Sequence, residues 1–238
     1  MALTRDQVVD AGIRLLDAEG LDALTLRRLA TELGVSAPTL YWHVRDKREL
    51  LDLMTEEMAN RHRVREAPPP QNLDFADGVA EAFRRQYRAI VAYRDGARVF
   101  AGNRPTDSSM PYIERYLSRW VEAGFPADEA LRTILALGDF VIGAALEHQA
   151  ELERRREQPP ERLKEVWEKM KAYPTLYAAA LGGAGRGQSD GGFEHGLSLF
   201  VAGLRQRHAE LAPNGARGRQ VAAKRAAGGA RRRPARAN

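Results

Sequence analysis

Apolar residues recur three and four positions apart along most of this chain, and each run is stopped by glycine or proline. No stretch of any length shows the period-two alternation that a half-buried strand needs. Val9, Ile13 and Leu16 share one face of a segment over 5–19, capped by Thr4 and ended by Gly20. Leu50, Leu51, Met54 and Met58 share a face of another, from Asp46 or Lys47 to about Arg63, before Pro68, Pro69 and Pro70. The expectation is an all-α protein: an N-terminal three-helix DNA-binding domain followed by a helical bundle.

The most constrained part of that pattern is Leu24 to Lys47. Leu26, Leu29, Ala30 and Leu33 make a short apolar face that Gly34 stops. A second helix then starts at once, with Ser36 as N-cap, Pro38 in the first turn and Leu40 and Val44 at helical spacing. Two short helices across so tight a turn form a helix-turn-helix, whose second helix enters the DNA major groove while the first crosses the backbone. The outward residues of the second helix are Thr39, Tyr41, Trp42 and His43. An ordinary helical hairpin with core aromatics has similar spacing. Tyr41 and Trp42, however, point about 100° apart and cannot both face a core already served by Leu40 and Val44. Arg27, Arg28, Arg45, Lys47 and Arg48 flank the motif where phosphates would run. The DNA-contacting set expected is Arg27, Arg28, Pro38, Thr39, Tyr41, Trp42, His43 and Lys47. Arg61, His62 and Arg63, in the last turn of the following helix, suit the helix dipole and are given a structural role.

The wording of this segment, GLDALTLRRLATELGVSAPTLYWHVRDKRELLD, resembles the N-terminal domain of TetR-family transcription regulators, with the likeness strong over residues 4–63. APTLYWHV followed closely by Lys is especially similar to the tetracycline-repressor branch of that family. The resemblance implies a homodimer in which the two C-terminal long helices of each subunit pair as a four-helix bundle, here Ala127–Glu151 and Phe193–Leu211. It also implies a double-stranded, near-palindromic operator and a small-molecule effector. Ala37 and Leu26 stand where that branch reads a base with Gln and meets a phosphate with Thr, so the operator sequence should differ.

Beyond the prolines the chain reads as helices again: to Tyr93, over 112–123, over 127–156 with Leu131, Ile134, Leu135, Gly138, Val141, Ile142, Ala145 and Leu146 as buried face, over 161–171, and from Phe193 to Leu211. The Gly-rich stretch 182–192 separates the last two. YRDGARVFAGNRP, Tyr93 to Pro105, resembles the segment that converts ligand binding into movement in the tetracycline-repressor branch. The departures bear on the ligand. Phe100 stands where that branch holds its magnesium with a histidine; Arg63, with His62 beside it, replaces a drug-contacting histidine; Ala82, Gln86 and Tyr116 replace Asn, Phe and Gln. Arg104, Pro105 and Glu147 agree, and Asn103 replaces Thr. The expected effector site is therefore Phe100, Asn103, Arg104, Pro105, Tyr116, Phe140 and Glu147, with Trp120 nearby, taking an apolar or aromatic ligand other than magnesium-tetracycline, with no metal and no cofactor. Phe100 and Phe140 read equally well as plain core.

Composition excludes more than it identifies. There is no cysteine, hence no disulfide or thiolate chemistry. The five histidines are scattered, with no nucleophile elbow, phosphate loop or zinc spacing, so no enzyme is expected; Glu147, His148 and Glu151 read as a solvated face. With no apolar run long enough for a membrane span and no signal-peptide pattern, a cytoplasmic protein is expected. The net charge of +5 is misleading: residues 212–238 carry eight Lys and Arg and no acid, leaving −3 for residues 1–211. That tail is expected to be disordered, either adding sequence-independent attraction to DNA or doing nothing. The domain division expected is 1–65, 71–211 and the basic tail 212–238. The functional expectation is a homodimeric, ligand-released repressor. The alternatives are an activator of the same architecture and a DNA-coating protein that works through its tail.

Overall fold

The computed structural model describes residues 3–66, 68, 70, 72–157, 159–182 and 191–229, with side chains as far as Leu211 except those of Pro160 and Leu163. Among the described residues it is helical with no strand. The helices are α1 (Arg5–Glu19), α2 (Leu26–Glu32), α3 (Ala37–Leu40), α4 (Lys47–Arg65), α5 (Phe75–Val91), α6 (Gly96–Phe100), α7 (Met110–Glu122), α8 (Ala127–Glu157), α9 (Pro160–Met170), α10 (Pro174–Leu181) and α11 (Gly191–Gly229).

Helix α1 begins with a capping box: the Thr4 hydroxyl accepts from the Gln7 backbone N–H at 3.2 Å, and the Thr4 N–H donates to the Gln7 side chain at 2.9 Å. Its face of Val8, Val9, Ile13 and Leu16 packs on α4, which answers with Leu50, Met54 and Met58. Gly12 lets the two helices close, since a Cβ there would lie 3.0 Å from the Met54 sulfur. Helix α4 packs on both halves of the chain. Its first half closes the N-terminal core, and it also packs on α5 and α6. Thr55, buried on α4, donates its hydroxyl to the Leu51 carbonyl at 2.9 Å.

The C-terminal bundle is built on α5 and α8, with α6, α7 and α11 packed around them. Trp120 and Phe125 sit at its centre, Trp120 edge-on to Phe75 at 5.1 Å and Phe125 stacked on Phe75 at 5.4 Å. Three features differ from the sequence expectation. Helix α10 falls where no helix was expected, its first turn opened by Pro174 and its run of alanines favouring helix. On α8 the buried face is Ala130, Leu137, Val141 and Ala145, whereas Leu131, Leu135 and Leu146 are exposed. Periodicity locates two apolar stripes on such a helix but cannot say which one its own chain covers. Helix α11 also continues as backbone to Gly229, past the expected end at Leu211. The side chains of residues 212–229 and all of residues 183–190 and 230–238 lie outside the described residues. So do most of the Gly-rich stretch and the far end of the basic tail.

Candidate DNA-binding face and effector site

The turn between α2 and α3 is a Schellman closure. Gly34, at φ +66°, donates to the Thr31 carbonyl at 3.1 Å, and the Val35 N–H reaches back to Ala30 at 3.0 Å. The left-handed φ is what favours glycine there. Helix α3 is a single turn. Pro38 lies in that turn, the Ser36 and Thr39 hydroxyls meet at 2.8 Å, and past Leu40 the backbone continues as turns through Tyr41 to His43. Leu40 and Val44 are fully buried, and the Val44 N–H still donates to the Leu40 carbonyl at 3.0 Å. The segment is thereby pinned by its apolar side, and the other side presents Tyr41 at 57 % and Trp42 at 87 % exposure. The Arg5 guanidinium holds the far end by donating to the His43 carbonyl at 3.0 Å.

The flanking cations are not equivalent. Arg27 is exposed. Arg28 is clamped by Glu19 at 2.5 Å and Glu32 at 3.0 Å, and these carboxylates raise its pKa. Lys47 donates to the Leu21 carbonyl at 3.0 Å, tying the start of α4 to the loop after α1. Arg45 pairs with Glu49 at 3.1 Å, and Arg48 donates to the Ala101 carbonyl at 3.3 Å. Glu19 lies nine residues before Arg28, beyond the reach of any helical-spacing argument.

The residues expected for the effector do not all converge. Phe100 is buried in the core; Phe140 is half-buried against Phe193 and Phe200, ring centroids 5.8 and 5.1 Å apart. Asn103, Arg104, Pro105 and Glu147 are exposed, and the Arg104 backbone N–H donates to Asp52 at 2.9 Å. Glu147, His148 and Glu151 form no metal-holding group among the described residues; His148 lies edge-on to Tyr87 at 6.1 Å. Tyr116 is the exception. Its hydroxyl and the indole N–H of Trp120 are both buried without a hydrogen-bond partner among the described residues. Burial pushes the Tyr116 phenol up to about 12, with the nearby Trp120 N–H and Arg119 pulling the other way, so at neutral pH it stays an O–H donor. The rings of Tyr116 and Trp120 lie 6.5 Å apart at 71°.

Sequence reading missed the joint between the two halves. Asp95 precedes α6 in the left-handed region, φ 54°, and its carboxylate accepts from the Leu21 N–H at 2.8 Å. Arg98 pairs with both Asp95 at 3.2 Å and Asp22 at 2.6 Å, and the two carboxylates raise its pKa. From the other side Gln149 of α8 accepts from the Ala97 N–H at 3.1 Å and donates to the Tyr93 carbonyl at 2.8 Å. One short segment is thus bonded to both the DNA-binding core and the longest helix of the bundle.

Comparison with known proteins follows the same division. Residues 8–54 match the model of bacterial regulatory proteins, tetR family, and residues 67–208 match the tetracyclin repressor-like C-terminal domain. The chain belongs to the TetR family. It is similar to the class C tetracycline repressor of Escherichia coli, 37 % identical over 204 residues, covering 85 % of this chain and 90 % of that one. Among solved structures it resembles apo ActR from Streptomyces coelicolor, with TM-score 0.73, 31 % identity and coverage of 89 % and 99 %. ActR in complex with actinorhodin matches with TM-score 0.68, 32 % identity and coverage of 86 % and 96 %. As a TetR-family chain it is a transcription regulator with a helix-turn-helix DNA-binding domain and a ligand-binding-type C-terminal domain. No described helix is long and apolar enough to cross a membrane.

Proposed function

We propose that this TetR-family protein is a homodimeric repressor that binds a near-palindromic operator and is released by a small, largely apolar or aromatic effector other than magnesium-tetracycline. The observation that carries the DNA half is the seating of α3: Leu40 and Val44 are locked inside, so Tyr41 and Trp42 are held rigidly outward. Thr39, Pro38 and His43 share that surface, with Arg27 beside it to meet phosphate. Arg28 and Lys47 act mainly through their protein partners, holding the motif in shape. The dimer reading rests on the exposed apolar residues Leu131, Leu135 and Leu146 of α8 together with Leu199 and Phe200 of α11. These two helices border a strongly apolar groove of about 480 Å³. A two-fold axis there would set the two recognition segments about 34–36 Å apart, one DNA turn.

The effector half rests on the orphaned Tyr116 hydroxyl and Trp120 N–H, since a buried donor left unpaired costs about 1–3 kcal/mol and calls for a partner. The matched repressors and the actinorhodin complex of ActR make a small-molecule partner the consistent choice. The test is selection of bound sequences from a random duplex pool at near-physiological salt, with the full chain and with the chain ended at Leu211. One palindromic site from both supports the reading. No preferred site from either overturns it, and binding that vanishes with the tail points to sequence-independent coating.

A further inference from the structure

We infer that the effector of this protein is a planar aromatic anion, of the aromatic carboxylate class, seated with its ring against Tyr112 and Tyr116 and its charge at Arg63 and Arg115. This rests on the ligand-responsive reading above and adds the chemistry of the ligand. The groups lie in a line along α7. Tyr112, Tyr116 and Trp120 are four residues apart, hence on one helix face, and the two tyrosine rings are parallel within 3° at 6.4 Å. At one end of the line is a buried donor pair in which the Trp120 N–H has only the neighbouring Tyr116 phenol oxygen to turn to, so the phenol O–H is left without an acceptor among the described residues. The indole N–H can only donate, and the Tyr116 phenol, its pKa raised by burial, remains protonated. Trp120 is fully buried, so water in the bulk does not satisfy it.

At the other end is positive charge without a counter-ion. The Arg63 guanidinium, in the last turn of α4, stands 4.5 Å from the Tyr112 ring centroid, and that of Arg115 stands 5.8 Å from the same ring. Among the described residues neither pairs with a carboxylate; Arg63 donates only to the Asn60 side chain. Arg119 adds a third cation on α7 without a carboxylate partner among the described residues, and Glu114 on the same helix accepts from Ser118 at 3.4 Å. A cationic ligand would meet like charge here and would give the buried Tyr116 O–H nothing to bind. A neutral apolar one would leave that O–H without an acceptor, as it is now. A flat ring with acceptor oxygens and one negative charge answers all three requirements: stacking, acceptance and charge.

The chemistry also places the signal. Arg63 belongs to α4, whose N-terminal half packs on α1 in the DNA-binding core. A ligand that draws Arg63 off the Tyr112 ring acts on a helix shared by both halves, and differential affinity of that kind is what shifts a two-state regulator.

The test uses a panel of one- to three-ring aromatic carboxylic acids, each paired with its neutral carboxamide. Calorimetry on the full-length dimer is run in parallel with release of the selected operator. The expected result is acids bound at least about tenfold more tightly than their amides. Arg63→Gln should abolish that acid-over-amide preference, whereas Tyr116→Phe weakens the acid while preserving its preference in part. Amides that bind as well as their acids and release the operator would overturn the anionic class while leaving the ligand-responsive reading intact. No binding by any member of either arm overturns both. An acid preference unchanged in Arg63→Gln overturns the assigned site.

Discussion

Asp95 is the one described residue other than glycine with a positive φ, 54°, a conformation aspartate tolerates better than most side chains because its short carboxylate can bond locally. Here it bonds further away, to the Leu21 N–H, and so spends its strained backbone on a link between the bundle and the DNA-binding core. Trp42 represents the opposite situation. At 87 % exposure it contributes almost nothing to the core and is available for a partner. Trp42→Ala should weaken operator binding by about tenfold or more, measured by titration of a labelled duplex. Its melting temperature should stay within about 2 °C of the parent, because an exposed side chain carries little stability.

At the scale of elements, α4 and the segment of α6 tie the two halves together. The C-terminal end of α4 is fastened to α5 by Glu66, which faces His62 at 2.8 Å, Arg88 at 2.5 Å and Arg85 at 3.3 Å. Arg88 first, then His62, hold its carboxyl below the usual range. A carboxylate with a lowered folded-state pKa contributes stability that is present above its unfolded value, roughly 4.3, and is lost as pH falls through the folded one. Stability followed by urea unfolding should therefore decline from about pH 4.5 downward. In Glu66→Gln that decline should be shallower, with a lower plateau at pH 7. Helix α6 has its own requirement. A Cβ on Gly96 would overlap the Ile90 backbone carbonyl, which is not a flexible side-chain tip and cannot step aside. Gly96→Ala should cost about 1–3 kcal/mol in the same assay and loosen the Tyr93–Phe100 segment that Gln149 holds.

Over the whole molecule, α8 exposes Leu131, Leu135 and Leu146 and α11 exposes Leu199 and Phe200, and the groove at these helices is lined by Leu137, Leu199, Phe200 and Leu204. In the homodimer proposed above, Leu135→Asp should give a monomer in sedimentation. It should weaken operator binding about 100-fold or more, because the second half-site then no longer binds as part of one molecule.

The helical class, the motif at residues 24–47 and most helix ends were legible in the chain alone. Periodicity, Gly34, Ser36 and Thr4 act through neighbours within one or two turns, so local sequence contains their physics. Exposure among Tyr41 and Trp42 was legible because neighbouring side chains cannot both face a core filled by Leu40 and Val44, but that both stand outward, in turns past the end of α3, was decided by the structure. Other features were settled only by tertiary structure: which α8 stripe its own chain buries, the capture of Arg28 by Glu19, the joint made by Asp95, Arg98 and Gln149, and the pair of donors sealed in at Tyr116 and Trp120. Each depends on groups brought together across turns or from distant helices, and no spacing rule along the chain encodes that distance.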